Sequence, residues 1–202
     1  MSPNAESRPD DGPRQLSEPR LLRALAHPVR LALIELLTVE GPRTATEAAE
    51  HLGESPSNCS FHLRQLAKFG FVEEAGDGRG RRRPWRMAQI GTTYVDTAQD
   101  PDLSVAGEAF RQMVDERWWA RWRRWRQTAH TFPAPWRDAG GSSETVWWVT
   151  PEELRSMEDE VLALTMRWRE RLQEPAARPA GSQPVEFVAL VFPFRPPTSD
   201  GG

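Results

Sequence analysis

The 202-residue chain has one cysteine, Cys59, one tyrosine, and a single lysine, Lys68, among 26 basic residues. One cysteine excludes an internal disulfide and any metal site built from several thiolates. His27, His51 and His130 stand without a carboxylate or cysteine at ligand spacing, so no metal is expected. No apolar run approaches the roughly eighteen residues that a membrane span requires. The N-terminal stretch MSPNAESRPDDGPRQLS lacks the apolar core of a signal peptide. A soluble, cytoplasmic chain with no membrane partner is therefore expected. Also missing are a nucleophile with a base and an orienting group, a glycine phosphate loop, and carboxylates paired for catalysis. Glu152-Glu153 and Glu158-Asp159-Glu160 read as solvated helix positions. No enzyme activity and no cofactor is expected. The near-absence of lysine reads as the codon bias of a GC-rich bacterial genome.

The net charge of −3 conceals an asymmetry. Residues 14–90 hold twelve basic and nine acidic side chains, a local +3; residues 91–202 hold thirteen and seventeen, a local −4. This charge division suits a small nucleic-acid-binding domain joined to an acidic module with another task.

The positive half centres on Thr44 to Phe71, TATEAAEHLGESPSNCSFHLRQLAKFGF. Thr44 and Glu47 form a capping box for a first helix, whose small apolar face is Ala45, Ala48, Ala49 and Leu52. Gly53 suits the left-handed residue that ends it. Ser55 then caps a second helix with Pro56 at its first position. In that helix Cys59, His62, Leu63 and Leu66 fall at i, i+3, i+4 and i+7, one buried stripe. The stripe makes His62 a packed histidine with one hydrogen bond rather than a ligand, and Cys59 an inert thiol. Ser57, Asn58, Phe61, Arg64, Gln65 and Lys68 are left outside, with Ser60 beside them. These are mostly polar donors and acceptors without an acid, the profile of a helix that reads the DNA major groove.

Phe71–Ala75 then alternates as a strand, Gly76-Asp77-Gly78-Arg79-Gly80 is a turn, and Arg81–Met87 returns as a second strand. A hairpin directly after such a helix is a wing. Arg79, Arg81, Arg82 and Arg83 crowd its tip, with Arg86 beyond. From Asp77 to Arg86 five arginines oppose one aspartate, a charge of +4. Arginines placed this way clamp phosphates or enter a minor groove.

Ahead of the motif, residues 1–15 read as a disordered tail. Ser17 is placed as the cap of a helix containing Leu21, Leu22, Leu25 and Ala26. His27-Pro28 restarts the chain, and Val29, Ala32, Leu33, Leu36 and Leu37 supply a core face. In this order LLRALAHPVRLALIELL, ATEAAEHLGESPSNCSFHLRQLAKFGFV and the arginine wing resemble an ArsR-type winged-helix transcriptional regulator over about residues 17–90. The resemblance implies a cytoplasmic homodimer on a palindromic operator, usually a repressor released by an effector. The family's founding members sense metals through paired cysteines on the helix before the recognition helix. The matching positions, Arg43 to Glu50, contain no cysteine or histidine, so metal sensing is not carried over. A winged-helix protein-docking module without DNA specificity is the alternative, because the fold alone does not fix function.

The remainder is less legible. Residues 91–100 read as a linker, and Asp100-Pro101 as the start of a helix over about 101–129. Its apolar stripe runs through Leu103, Ala106, Phe110, Met113, Val114, Trp118, Trp122, Trp125 and Ala129, flanked by Trp119. This stripe fits a dimer seam, core beneath later elements, or a pocket for a flat apolar or cationic effector at Phe110, Trp118, Trp119, Trp122 and Trp125. Pro133, Pro135 and Gly140-Gly141 mark a loop. Thr145–Val149 reads as a short strand, Thr150–Leu172 as a helix opened by another capping box, and Val185–Phe192 as an apolar strand, with a parallel pairing of the two strands. The expected architecture is mainly α with small β. A winged helix-turn-helix domain spans residues 16–90. Residues 91–194 form a dimerising, effector-binding region made of a long helix and a strand-helix-strand extension. A tail covers 195–202.

Overall fold

The computed structural model describes residues 14–76, 83–89, 91–93 and 101–194. In chain order these are β1 (Arg14–Gln15), α1 (Pro19–Leu25), α2 (Pro28–Glu40), α3 (Ala45–Leu52), α4 (Pro56–Lys68), β2 (Val72–Glu74), β3 (Trp85–Met87), β4 (Thr92–Thr93), α5 (Pro101–Thr128), α6 (Ala134–Ala139), α7 (Pro151–Met166) and α8 (Glu170–Gln173). The fold is mainly helical with a small antiparallel sheet, a winged helix-turn-helix.

Local signals set the central elements where the sequence places them. At α3 the Thr44 backbone N–H donates to Glu47 Oε2 at 2.7 Å, and the Glu47 N–H donates back to Thr44 Oγ1 at 3.2 Å. Gly53 closes the helix in the left-handed conformation with φ of 68°. At α4 Ser55 Oγ accepts from the Asn58 N–H at 3.2 Å, and Pro56 opens the helix. Helix α1 departs from expectation: Glu18, not Ser17, is the N-cap, and no side chain caps it. Pro19 starts the helix through its fixed φ instead. The restart at Pro28 is aided by His27, whose Nδ1 accepts from the Val29 N–H at 3.2 Å.

The hydrophobic core runs from Leu16 through α1 (Leu21, Leu22, Leu25), α2 (Leu33, Leu36, Leu37), α3 (Ala48, Ala49) and α4 (Cys59, Leu63, Leu66) to Phe71 and Val72. It does not stop at residue 90. Leu103, Ala106 and Phe110 of α5 belong to it, and α5 packs along α1. The wing strands pair antiparallel with Val72 opposite Met87, Glu73 opposite Arg86 and Glu74 opposite Trp85. Arg43 adds an isolated antiparallel bridge to Trp85.

Two tail and linker expectations change. Arg14 and Gln15 leave the tail to pair in parallel with Thr92 and Thr93, out of the expected linker. Arg14 is held there by its side chain, which donates to the Phe69 carbonyl and lies over the Phe71 ring, 5.0 Å from its centroid. The rest of the expected tails, residues 1–13 and 195–202, lie outside the described residues, as do Asp100 and most of the linker.

The larger correction concerns the C-terminal extension. Helix α7 begins at its capping box as expected, with the Thr150 N–H on Glu153 Oε2 at 2.7 Å. It ends at Met166, and a turn precedes the short α8. Neither Thr145–Val149 nor Val185–Phe192 forms a strand, and both are exposed along their length. A strand needs a neighbour to satisfy its backbone and, when apolar on both sides, cover on both faces; one chain supplies neither here.

Candidate nucleic-acid interface

Helix α4 presents two chemically distinct faces because its inward stripe is spent on the core. Cys59, His62, Leu63 and Leu66 are buried. Ser57, Phe61, Arg64 and Lys68 are exposed; Asn58, Ser60 and Gln65 are half-buried at the flanks. Phe61, at 50 % exposure, is a large apolar group among polar ones. No side chain on α4 is acidic. The nearest acid is Glu54 in the turn before it, which accepts from Asn58 Nδ2 at 2.8 Å. Arg64 folds back on its own helix, its Nε donating to the Ser60 carbonyl at 3.1 Å. Lys68 lies 5.9 Å from the Phe69 ring centroid. Both cations rest on weak local contacts that a phosphate or base edge can replace.

At the wing, Arg83 pairs with Glu74 at 2.7 Å and Arg86 with the cross-strand Glu73 at 2.8 Å. All four side chains are about half exposed, so these pairs contribute little stability and open at little cost. The wing stem is thereby neutralised, a feature the sequence count of charge misses. Arg79, Arg81 and Arg82 lie outside the described residues.

Behind the interface sits an aromatic and histidine cluster. His62 is buried as expected, but its Nδ1 has no hydrogen-bond partner. It packs instead against the His27 ring, centroids 4.3 Å apart, and edge-on to Phe61. Burial holds both histidines below the ordinary value of 6.5, and the nearby Arg30 cation acts in the same direction. Burial likewise pushes the Cys59 thiol up, which keeps it inert. No group of three or more metal-ligating side chains exists among the described residues.

Helix α5 is tied to the interface scaffold by charge. Arg117 and Arg121 both reach Glu35 on α2, with Arg117 Nε and Arg121 Nη1 at 2.8 and 2.7 Å from Glu35 Oε1. Burial alone would raise the Glu35 carboxyl, but the two guanidinium groups outweigh it and hold it low. Arg121 also donates from Nε to Glu186 Oε2 at 2.8 Å. No signal within the sequence reveals this chain of contacts, whose members are more than sixty residues apart. Of the residues considered for an effector or seam, Phe110 is core. Trp118, Trp122 and Trp125 are half-buried, and Trp122 stacks on Trp125 at 5.1 Å. Gly140 rests on that stack, where a Cβ would meet Trp125 at 2.6 Å. Trp119 stands apart at 52 % exposure, beside an open trough of about 560 Å³ lined also by Glu108, Arg111, Gln112, Asp115, Glu116 and Arg123.

Residues 25–75 match a family model described as a helix-turn-helix domain. Among solved structures, the transcriptional repressor BigR from Xylella fastidiosa is 22 % identical, with 48 % of this chain and 83 % of that chain covered and a TM-score of 0.30. The transcriptional regulator Tm0710 from Thermotoga maritima is 13 % identical, with 73 % and 82 % covered and a TM-score of 0.29. The Mycobacterium tuberculosis MarR family protein Rv2887, solved with salicylic acid, is 21 % identical, with 71 % and 85 % covered and a TM-score of 0.28. No curated protein matches. The matched segment, with its exposed helix and its hairpin, defines the class of fold: a winged helix-turn-helix domain. Among the described residues no helix is long and apolar enough to cross a membrane.

Proposed function

We propose that the chain is a sequence-specific transcriptional regulator of the ArsR type, without the metal site, acting in the cytoplasm as a homodimeric repressor on a palindromic operator. The observation that carries this reading is the outer face of α4. It projects Ser57, Asn58, Phe61, Arg64, Gln65 and Lys68 with no acid, while its inner face is locked into the core. Such a face donates to base edges and phosphates and meets no like-charge repulsion. The arginines of the wing add phosphate contacts. Two copies spaced about one helical turn apart, roughly 34–36 Å, read the two half-sites. A small-molecule effector is assigned to the trough at Trp119, where an aromatic face stands among Glu108, Asp115 and Glu116 and the two arginines Arg111 and Arg123.

The test is a titration of double-stranded DNA at rising salt, with sequencing of the genomic fragments that co-purify with the protein. A DNA regulator loses affinity steeply as salt rises, and its fragments share one palindrome. Binding that is absent at low salt leaves the protein-docking module as the function.

A further inference from the structure

The region after Phe110 holds two extended apolar segments whose backbones pair with nothing. Thr145–Val149 and Val185–Phe192 make no backbone hydrogen bond among the described residues, within the chain or with each other. Their side chains are bare as well: Trp148 is 97 % exposed and Phe187 61 %. A segment of this composition is not a solvated tail, since disorder goes with low hydrophobicity, and an unpaired apolar edge invites another strand. Glu186 pairs with Arg121, which also pairs with Glu35 on α2, and this lays Val185–Phe192 alongside α5.

We propose that these two segments are the exchange surface for a second copy of this chain. Thr145–Val149 of one copy pairs with Val185–Phe192 of the other, and the two-fold axis repeats the pairing. This rests on the dimeric reading above and locates its seam on the extended segments rather than on the α5 stripe that the sequence suggests. The occupant follows from supply and size. Each copy carries both members of the pair, so two copies make the contact twice about one two-fold axis, which no unrelated partner is bound to do. Ten exposed large apolar side chains lie within the two segments, Trp147, Trp148, Phe187 and Phe192 among them. At about 150–250 Å² for each aromatic, partial exposure still leaves on the order of 1,000 Å² per copy. A stable specific interface takes about 800 Å² from each partner. The Glu186–Arg121–Glu35 contacts link this seam to α2.

The test compares the full chain with the F187D/L190D double variant, two positions that are exposed in the single copy, and with W119D. Sedimentation of the full chain gives a dimer, and amides of residues 185–192 are protected from exchange in a way that fades on dilution. F187D/L190D weakens the dimer by at least about 100-fold with unchanged helical circular dichroism. A dimer that survives F187D/L190D but dissociates in W119D places the seam on α5; the dimeric reading then stands and this inference falls. A full chain that is monomeric at its highest soluble concentration overturns both. A dimer that shows no salt-dependent DNA binding leaves this inference intact and removes the operator reading.

Discussion

Residues 14–110 and 111–194 obey opposite rules of burial. Every buried residue described lies between Leu16 and Phe110, whereas α6, α7 and the extended segments bury none. Both halves contain well-formed local signals: Thr44–Glu47 and Thr150–Glu153 are the same capping box with nearly the same hydrogen bonds. The difference teaches that caps start helices, while packing decides whether a helix belongs to a cooperative unit. In the first region α1 to α4, the start of α5 and the hairpin share one core that includes Leu33, Leu63 and Phe71. In the second, one chain has nothing to converge on.

The contrast is sharpest for core truncations. Leu63→Ala, at a fully buried site on the inner face of α4, is expected to cost about 2–5 kcal/mol in chemical denaturation. Leu190→Ala, in the extended segment, should change the stability of the dissociated chain by less than about 0.5 kcal/mol. Equal losses would mean that the second region has a core of its own.

Next in size is DNA binding, which should belong to the first region alone. Changing Arg81, Arg82 and Arg83 together to Ala should flatten the salt dependence by up to about three units of slope per wing. Arg64→Ala should weaken operator binding by about 1–3 kcal/mol and random DNA by less. An unchanged slope would release the wing from the backbone, and equal losses on both DNAs would make Arg64 a phosphate contact.

The paired caps give a smaller effect. Thr44→Ala should lower global stability by about 1 kcal/mol. Thr150→Ala should fray α7 in amide exchange without moving the unfolding of the winged helix.

Smallest is a pH effect confined to the first region. His27 and His62 both have folded values below 6.5, so the unfolded chain binds their protons first. Stability from this pair is complete above 6.5 and declines as pH falls from there through the lower folded values. His62→Gln should reduce that slope between neutral pH and about pH 5 in denaturation curves, while the salt dependence of DNA binding stays. An unaltered slope would remove the histidine pair from the linkage.

Much of the first region was legible because its signals are local. The box at Thr44, the stop at Gly53, Pro56 at a helix start and the Cys59–His62–Leu63–Leu66 stripe each act within one or two turns. Ser17 failed as a cap because Pro19 fixes the helix start two residues later. The wing's pairing of Glu73 with Arg86 was implicit in the hairpin, but its neutralising effect depends on register and escaped a count of charge.

What the sequence by itself determined is the order and limits of α2 to α5, the inward stripe of α4 and the acid-free face opposite it, because those follow from dihedral preference and periodicity over short spans. Only the tertiary structure decided that α5 completes the core against α1, that Arg14 docks on Phe69 and Phe71, and that Glu35, Arg117, Arg121 and Glu186 form one chain of charge. It also decided that Val185–Phe192, whose composition reads as a strand, stays unpaired in a single copy. A strand's hydrogen bonds lie outside itself, so composition specifies the need for a partner and only the packed chain specifies whether one is within reach.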